Sequence, residues 1–161
     1  MLPAPSAKAA PAGLPTAIYY PLPPKATADQ LSMKSQRKLG KIRSWAEKII
    51  GDKMDQPSGL NEIQVVSAHH IRKVFRKSLG KAAWRSAIRI SWRESRLLPY
   101  VVNDENKNKT MDWGLFQLND GGTLQFTGNE PSPAVLHPRK NASAARYLVR
   151  TNGWAPWGGM L

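Results

Sequence analysis

The sequence predicts an α+β protein, mostly α-helical, with a small β-hairpin region and an extended N-terminal arm. Three observations predict it. Apolar residues recur at helical spacing over 31–50, 61–79, 81–96 and 142–151. Between the third and fourth of these lies a polar, turn-rich stretch with little helical periodicity. Before the first, residues 1–30 hold seven of the thirteen prolines.

Taken in order, the arm is Pro- and Ala-rich, which removes amide donors and favours extended polyproline geometry. Ile18, Tyr19, Tyr20 and Leu22 interrupt it with an apolar cluster suited to docking, on this chain or on a partner. Residues 31–60 form a second unit, a basic amphipathic helix and a linker. Leu39, Ile42, Ala46 and Ile49 share one face, with Trp45 and Ile50 beside it. Lys34, Arg37, Lys38, Lys41, Arg43 and Lys48 fill the other face against a single Glu47. Such a helix lies on a membrane, binds a partner or packs on its own domain with a solvated charged face. Residues 51–60 are turn-rich and mark a candidate boundary. The third unit, 61–161, opens with Asn61 as a helix cap and Ile63, Val66, His70, Val74 and Phe75 on or near the inner side. Gly80 breaks this helix, and Pro99 ends the next. The string 103–110 reads as a loop or small hairpin, and the proline-rich stretch 123–138 as irregular. Asn141 is the expected cap of the last helix, with Ala144, Ala145, Leu148 and Val149 inward and Gly153 closing it.

Composition narrows the classes. The chain has 161 residues, 41% hydrophobic, and a net charge of +13, which draws in polyanions such as nucleic acid, anionic lipid or the bacterial wall. There is no cysteine, so no disulfide and no thiolate metal site exists. The three histidines, His69, His70 and His137, lack metal-site spacing; no metal or cofactor is expected. No run of about eighteen apolar residues is present, so no membrane span is expected. The N-terminus lacks the apolar core of a secretory signal. No zinc-finger spacing and no aromatic-glycine RNA-binding string accompanies the charge, so nucleic acid is open by charge but unsupported by motif.

Eleven acids are present, and two differ from the rest in setting. Glu94 follows Ala83, Ala87 and Ile90 on one helical stripe. An acid there is expected to be partly desolvated, which favours its protonated form, and Arg89, Arg93 and Arg96 are expected to point elsewhere on the wheel. Asp112 is bracketed by large apolar residues in a turn-rich stretch that should leave it ionised. Two carboxyls in unlike surroundings suit glycosidic bond cleavage.

The segment Ala-Ile-Arg-Ile-Ser-Trp-Arg-Glu94-Ser95, then Val-Val-Asn103, then Asp112-Trp-Gly114-Leu-Phe-Gln117-Leu-Asn119, and the end Asn-Gly-Trp154-Ala-Pro-Trp157 resembles the lysozyme-like superfamily. It is similar to both the lytic transglycosylase catalytic domain and animal-type lysozyme. The resemblance covers about residues 65–157 and implies a lysozyme-like domain acting on peptidoglycan glycan strands. It implies that Glu94 is the catalytic acid and that Ser95 helps hold the site. Asn103, Gln117 and Asn119 are implied to line the cleft, and Trp154 or Trp157 to flank it. Asp112 matches the second carboxylate of the animal-type enzymes, at a separation about one residue longer. The family's Asp-Pro before the last helix is His137-Pro138 here. Hydrolysis and anhydro-forming transglycosylation both stay open. The arm, the charge and the lack of a secretory signal fit an enzyme carried on a phage particle or released to the wall or periplasm, its arm docked on virion or tail proteins. The competing expectation is a non-enzymatic assembly or nucleic-acid-binding protein that reuses a lysozyme-like body.

Overall fold

The computed structural model describes residues 17–19, 33–55, 57 and 59–161. The expected arm over 1–30 lies outside the described residues except at 17–19. The elements in chain order are β1 (Ala17–Tyr19), α1 (Met33–Gly51), α2 (Glu62–Ser95), β2 (Val101–Asn103), β3 (Asp112–Trp113), β4 (Leu118–Asn119) and α3 (Pro138–Asn152). Single 3₁₀ turns occur at Gly114–Phe116, Gln125–Thr127, Pro133–Leu136 and Ala155–Trp157. Helices dominate and one small antiparallel sheet, ordered β1-β2-β3-β4, accompanies them, as the α+β expectation requires.

The apolar face of α1 is buried as its spacing predicts: Ile42, Ala46, Ile49 and Ile50 join the same core as the rest of the molecule. Arg37, Lys38, Lys41 and Lys48 stay exposed, so this helix packs on its own protein. The chain turns at 52–54, and Leu60 beyond it joins that same core. Glu47 accepts from the Leu60 amide (3.0 Å) while Arg43 Nε donates to the Leu60 carbonyl (3.0 Å). Among the described residues no helix is long and apolar enough to cross a membrane.

Helix α2 begins with the expected Asn61 cap, whose side chain and that of Gln64 form a reciprocal capping box. At Gly80 the backbone leaves helical geometry (φ 80°, ψ −170°), a conformation open to glycine. Gln64 Nε2 donates to the Arg96 carbonyl (2.9 Å), so the two halves of α2 fold back on each other. The inner face of the first half is rotated from the expected one. Val65, Ala68, Ile71, Val74 and Phe75 are buried, while Ile63, Val66 and His70 are only half-buried. Ser67 and Ala68 are also fully buried, both at 0% exposure. The second half is buried on nearly every side, including Arg89, which donates from Nε to the Ile49 carbonyl (2.9 Å) and from Nη1 to that of Leu161 (3.1 Å).

The last helix corrects another expectation. It starts at Pro138 with His137 as cap; Nδ1 of His137 accepts from the Arg139 amide (3.3 Å), and Pro138 suits the first helical position because its missing N–H would be unpaired there. Asn141 is therefore inside α3 and fully buried. Its side chain donates to the Trp113 carbonyl (3.0 Å) and accepts from the Phe116 amide (3.0 Å), clamping the turn between β3 and β4. Gly114 sits in that turn at φ +71°, and a Cβ there would lie 2.6 Å from Asn141 Nδ2 and 3.2 Å from the Pro99 carbonyl.

Truncating Asn141 orphans two buried backbone groups, each costing roughly 1–3 kcal/mol. Asn141→Ala is expected to lower stability by about 3 kcal/mol. Gly114→Ala should lose at least about 2 kcal/mol through positive φ and overlap. Urea midpoints at unchanged slope measure both; unchanged midpoints would contradict the clamp.

Candidate active site

Glu94 occupies the last turn of α2 with its side chain 25% exposed. Its carboxyl is not enclosed by apolar walls as the helical stripe suggested. Arg93 donates to Oε1 from Nε (2.8 Å) and from Nη2 (2.6 Å), the one ion pair among the described residues. Successive residues on a helix do not face each other, which is why spacing argued against this contact. The correction comes from elsewhere in the chain. Arg93 Nη2 also donates to the Trp157 carbonyl (2.8 Å), and that anchor bends the long guanidinium back over the helix end.

Ser95, the next residue, is buried, and its hydroxyl lies within hydrogen-bond distance of the Ser91 carbonyl (3.1 Å) and the Leu115 carbonyl (3.0 Å). The second contact ties the end of α2, and Glu94 with it, to the Gly114–Phe116 turn. Gln117 follows this turn in left-handed geometry (φ 46°). Its Nε2 donates back to the carbonyls of Gly114 (2.8 Å) and Val101 (3.3 Å).

The sheet gathers three other expected residues into one row. Asn103 pairs with Asp112, and Asp112 pairs with Asn119, across adjacent antiparallel strands. Asp112 Oδ1 accepts from Asn119 Nδ2 (2.8 Å) and Oδ2 from Asn106 Nδ2 (3.0 Å). Asn119 Nδ2 also reaches Thr110 Oγ1 (2.7 Å), and its Oδ1 accepts from the Gly121 amide (3.0 Å). Asn103 Oδ1 accepts from the Glu105 amide (3.2 Å). The amides of Gln117 and Asn119, expected to face sugar, thus hold the loop in shape.

The two expected aromatic flanks lie in the core stack. Trp157 is 7% exposed and donates from Nε1 to the Phe116 carbonyl (3.0 Å); it is a brace and not an open platform. Trp154 is half-buried and stacks on Phe75 at 5.9 Å.

Sequence reasoning missed Arg93, Asn106 and Asn141 as members of this region. Each acts across turns or elements with no periodic signal. It also missed Asp120, which accepts from Trp113 Nε1 (3.2 Å) and the Met111 amide (2.8 Å).

His137, distant in sequence, comes to the adjacent pair His69 and His70. The His70 ring lies 6.0 Å from His69 and 5.8 Å from His137. No group of three or more metal-ligating side chains forms among the described residues.

Chemically, the region offers one partly exposed carboxyl held by a guanidinium and a second carboxyl ringed by amides. Compared with protein-family models, curated proteins and solved structures, the chain matches none.

Burial, then the neighbouring histidines, Lys73 and Arg139, push His70 below its ordinary value of 6.5. Burial, then Lys38, Lys73 and Arg72, lower His69 likewise. The folded state therefore prefers the neutral rings. Their stabilisation is complete above the unfolded value and is lost as pH falls through the lower folded values. Stability should decline as pH falls through the ordinary histidine value of 6.5 toward the lower folded values. His70→Gln should flatten the decline of the urea midpoint; identical slopes in wild type and variant would refute it.

Proposed function

We propose that this protein is a peptidoglycan-degrading enzyme of lysozyme-like fold that cleaves the MurNAc-β-1,4-GlcNAc bond, with Glu94 as general acid. One observation carries the reading. Ser95 binds the Leu115 carbonyl, so the Glu-Ser helix end and the Gly-Leu-Phe-Gln turn, twenty residues apart, meet at one place. These are the two segments on which the family resemblance rests.

In this reading Glu94 gives its proton to the glycosidic oxygen as the bond to the muramic anomeric carbon breaks. Asp112, held by Asn119 and Asn106, faces the positive charge that develops. Water then adds to the anomeric carbon, or the muramic 6-hydroxyl closes on it to leave an anhydro-sugar. A proton donor cannot keep the Arg93 ion pair, so this chemistry needs Arg93 to release Oε1 when the glycan binds. The absence of an open tryptophan at 157 leaves Trp154 as the aromatic candidate for a sugar face. A virion-borne protein, docked by its arm and delivered to the wall, accounts for the composition.

The second reading is a non-enzymatic assembly protein with the same body. The Arg93–Glu94 pair favours it, because an acid engaged in an ion pair serves structure as readily as chemistry.

Glu94→Gln decides between them, since it keeps shape and removes the titratable proton. The enzymatic reading expects wall clearing in a gel overlay to fall at least about 100-fold, with an unchanged urea midpoint. Equal clearing by variant and wild type would eliminate Glu94 as the acid. Mass spectrometry of the released muropeptides then separates hydrolysis from anhydro-product formation.

A further inference from the structure

The first half of α2 carries His69, Arg72, Lys73, Arg76 and Lys77, and with Lys38 of α1 they line one open groove of about 590 Å³. Among the described residues no acidic side chain lines it, and none of its cations has an ion-pair partner there. The arrangement opposes folding: Arg72 with Arg76 and Lys73 with Lys77 stand four apart on one helix, where like charges repel. Arg72 is also oriented in advance. Its guanidinium lies over the rings of Trp45 (5.1 Å) and Trp84 (5.3 Å), and its Nε is buried with no partner. Burial and the surrounding cations hold His69 toward its neutral form. A row of unneutralised cations around a preset arginine is complementary to a row of regularly spaced anions.

The chemistry of the lining narrows the occupant. A strand carrying bases draws much of its affinity from stacking on aromatic faces. Among the described residues no tryptophan, tyrosine or phenylalanine lines the groove, and the nearby indoles are covered by Arg72. We propose that the α1–α2 groove binds a base-free phosphodiester chain, the poly(polyol phosphate) of a bacterial wall. The preference for a phosphate chain stands on the groove itself. The choice of a wall polymer rests on the reading of Glu94 as a wall-cleaving acid. The groove would then hold the protein on the wall while the glycan is cut elsewhere on its surface.

The test uses the full chain, end-labelled poly(glycerol phosphate) and a single-stranded DNA of equal charge, with fluorescence anisotropy read across a salt series. A groove variant, Lys73→Gln with Arg76→Gln and Lys77→Gln, removes three exposed cations and relieves their repulsion, so it should fold at least as stably as wild type. A control variant, Lys107→Gln with Lys140→Gln and Arg150→Gln, removes the same charge elsewhere. The proposal expects the groove variant to bind poly(glycerol phosphate) at least about 10-fold more weakly, with a salt slope shallower by roughly 2, and the control to stay within about 2-fold. Equal loss in both variants would reduce the effect to net charge and overturn the groove. DNA bound as tightly as the polymer would overturn the occupant, and no polymer binding at low salt would overturn both. Glu94→Gln should leave polymer binding intact, so failure of the groove and failure of the acid are read separately.

Discussion

The turn that joins β3 to β4 has none of its carbonyls left to chance. From Trp113 to Phe116 every backbone oxygen meets a side chain: Asn141 at Trp113, Gln117 at Gly114, Ser95 at Leu115 and Trp157 at Phe116. These four come from α3, the turn itself, α2 and the final 3₁₀ turn. Gly114 to Phe116 is buried, where an unpaired carbonyl has no water to turn to and carries its full desolvation penalty. The turn cannot adopt this path unless all three outlying elements are seated, and each of them is positioned in part by the same bonds. The candidate site inherits its geometry from this arrangement, because Glu94 adjoins Ser95 and Asp112 adjoins Trp113.

Charge is distributed with a different logic. Among the described residues most cations face solvent outside any ion pair, and the single ion pair lies at Glu94, where the reading of function needs a proton donor. Arg93 holds both that carboxyl and the Trp157 carbonyl. It links the chain's closing aromatic turn to the candidate acid. An exposed pair of this kind contributes little to stability, so it can open at small cost when a ligand competes for either partner. The basic groove on α1 and the first half of α2 is separate from this region in lining and in chemistry.

Much of the fold was legible because helices announce themselves locally. The Asn61 cap, the Gly80 break, the buried face of α1 and the closing Gly153 all depend on residues within a few positions of one another. The misreadings share one cause. The inner face of 62–79, the place of Asn141, the burial of Trp157 and the partner of Glu94 are each set by a contact with a distant segment. Asn141 resembles a cap by residue type, yet His137-Pro138 starts the helix earlier and turns Asn141 into a buried clamp. The family resemblance implies Trp154 or Trp157 as the cleft's aromatic flank, yet the Phe116 carbonyl accepts from the Trp157 indole N–H and holds that ring inward.

Periodicity, capping chemistry and glycine placement by themselves determined where this chain is helical and where it turns, because those preferences act over one or two helical turns. The helical stripe and the turn setting singled out two carboxyls, and the family resemblance, not periodicity, singled out the amides near them. Tertiary structure alone decided how those groups are engaged: which carboxyl is ion-paired, which amides are occupied by the backbone, and which tryptophan is buried. The physical reason is that a hydrogen bond of about 3 Å across twenty or more residues depends on the packing of whole elements, and no local preference encodes that distance.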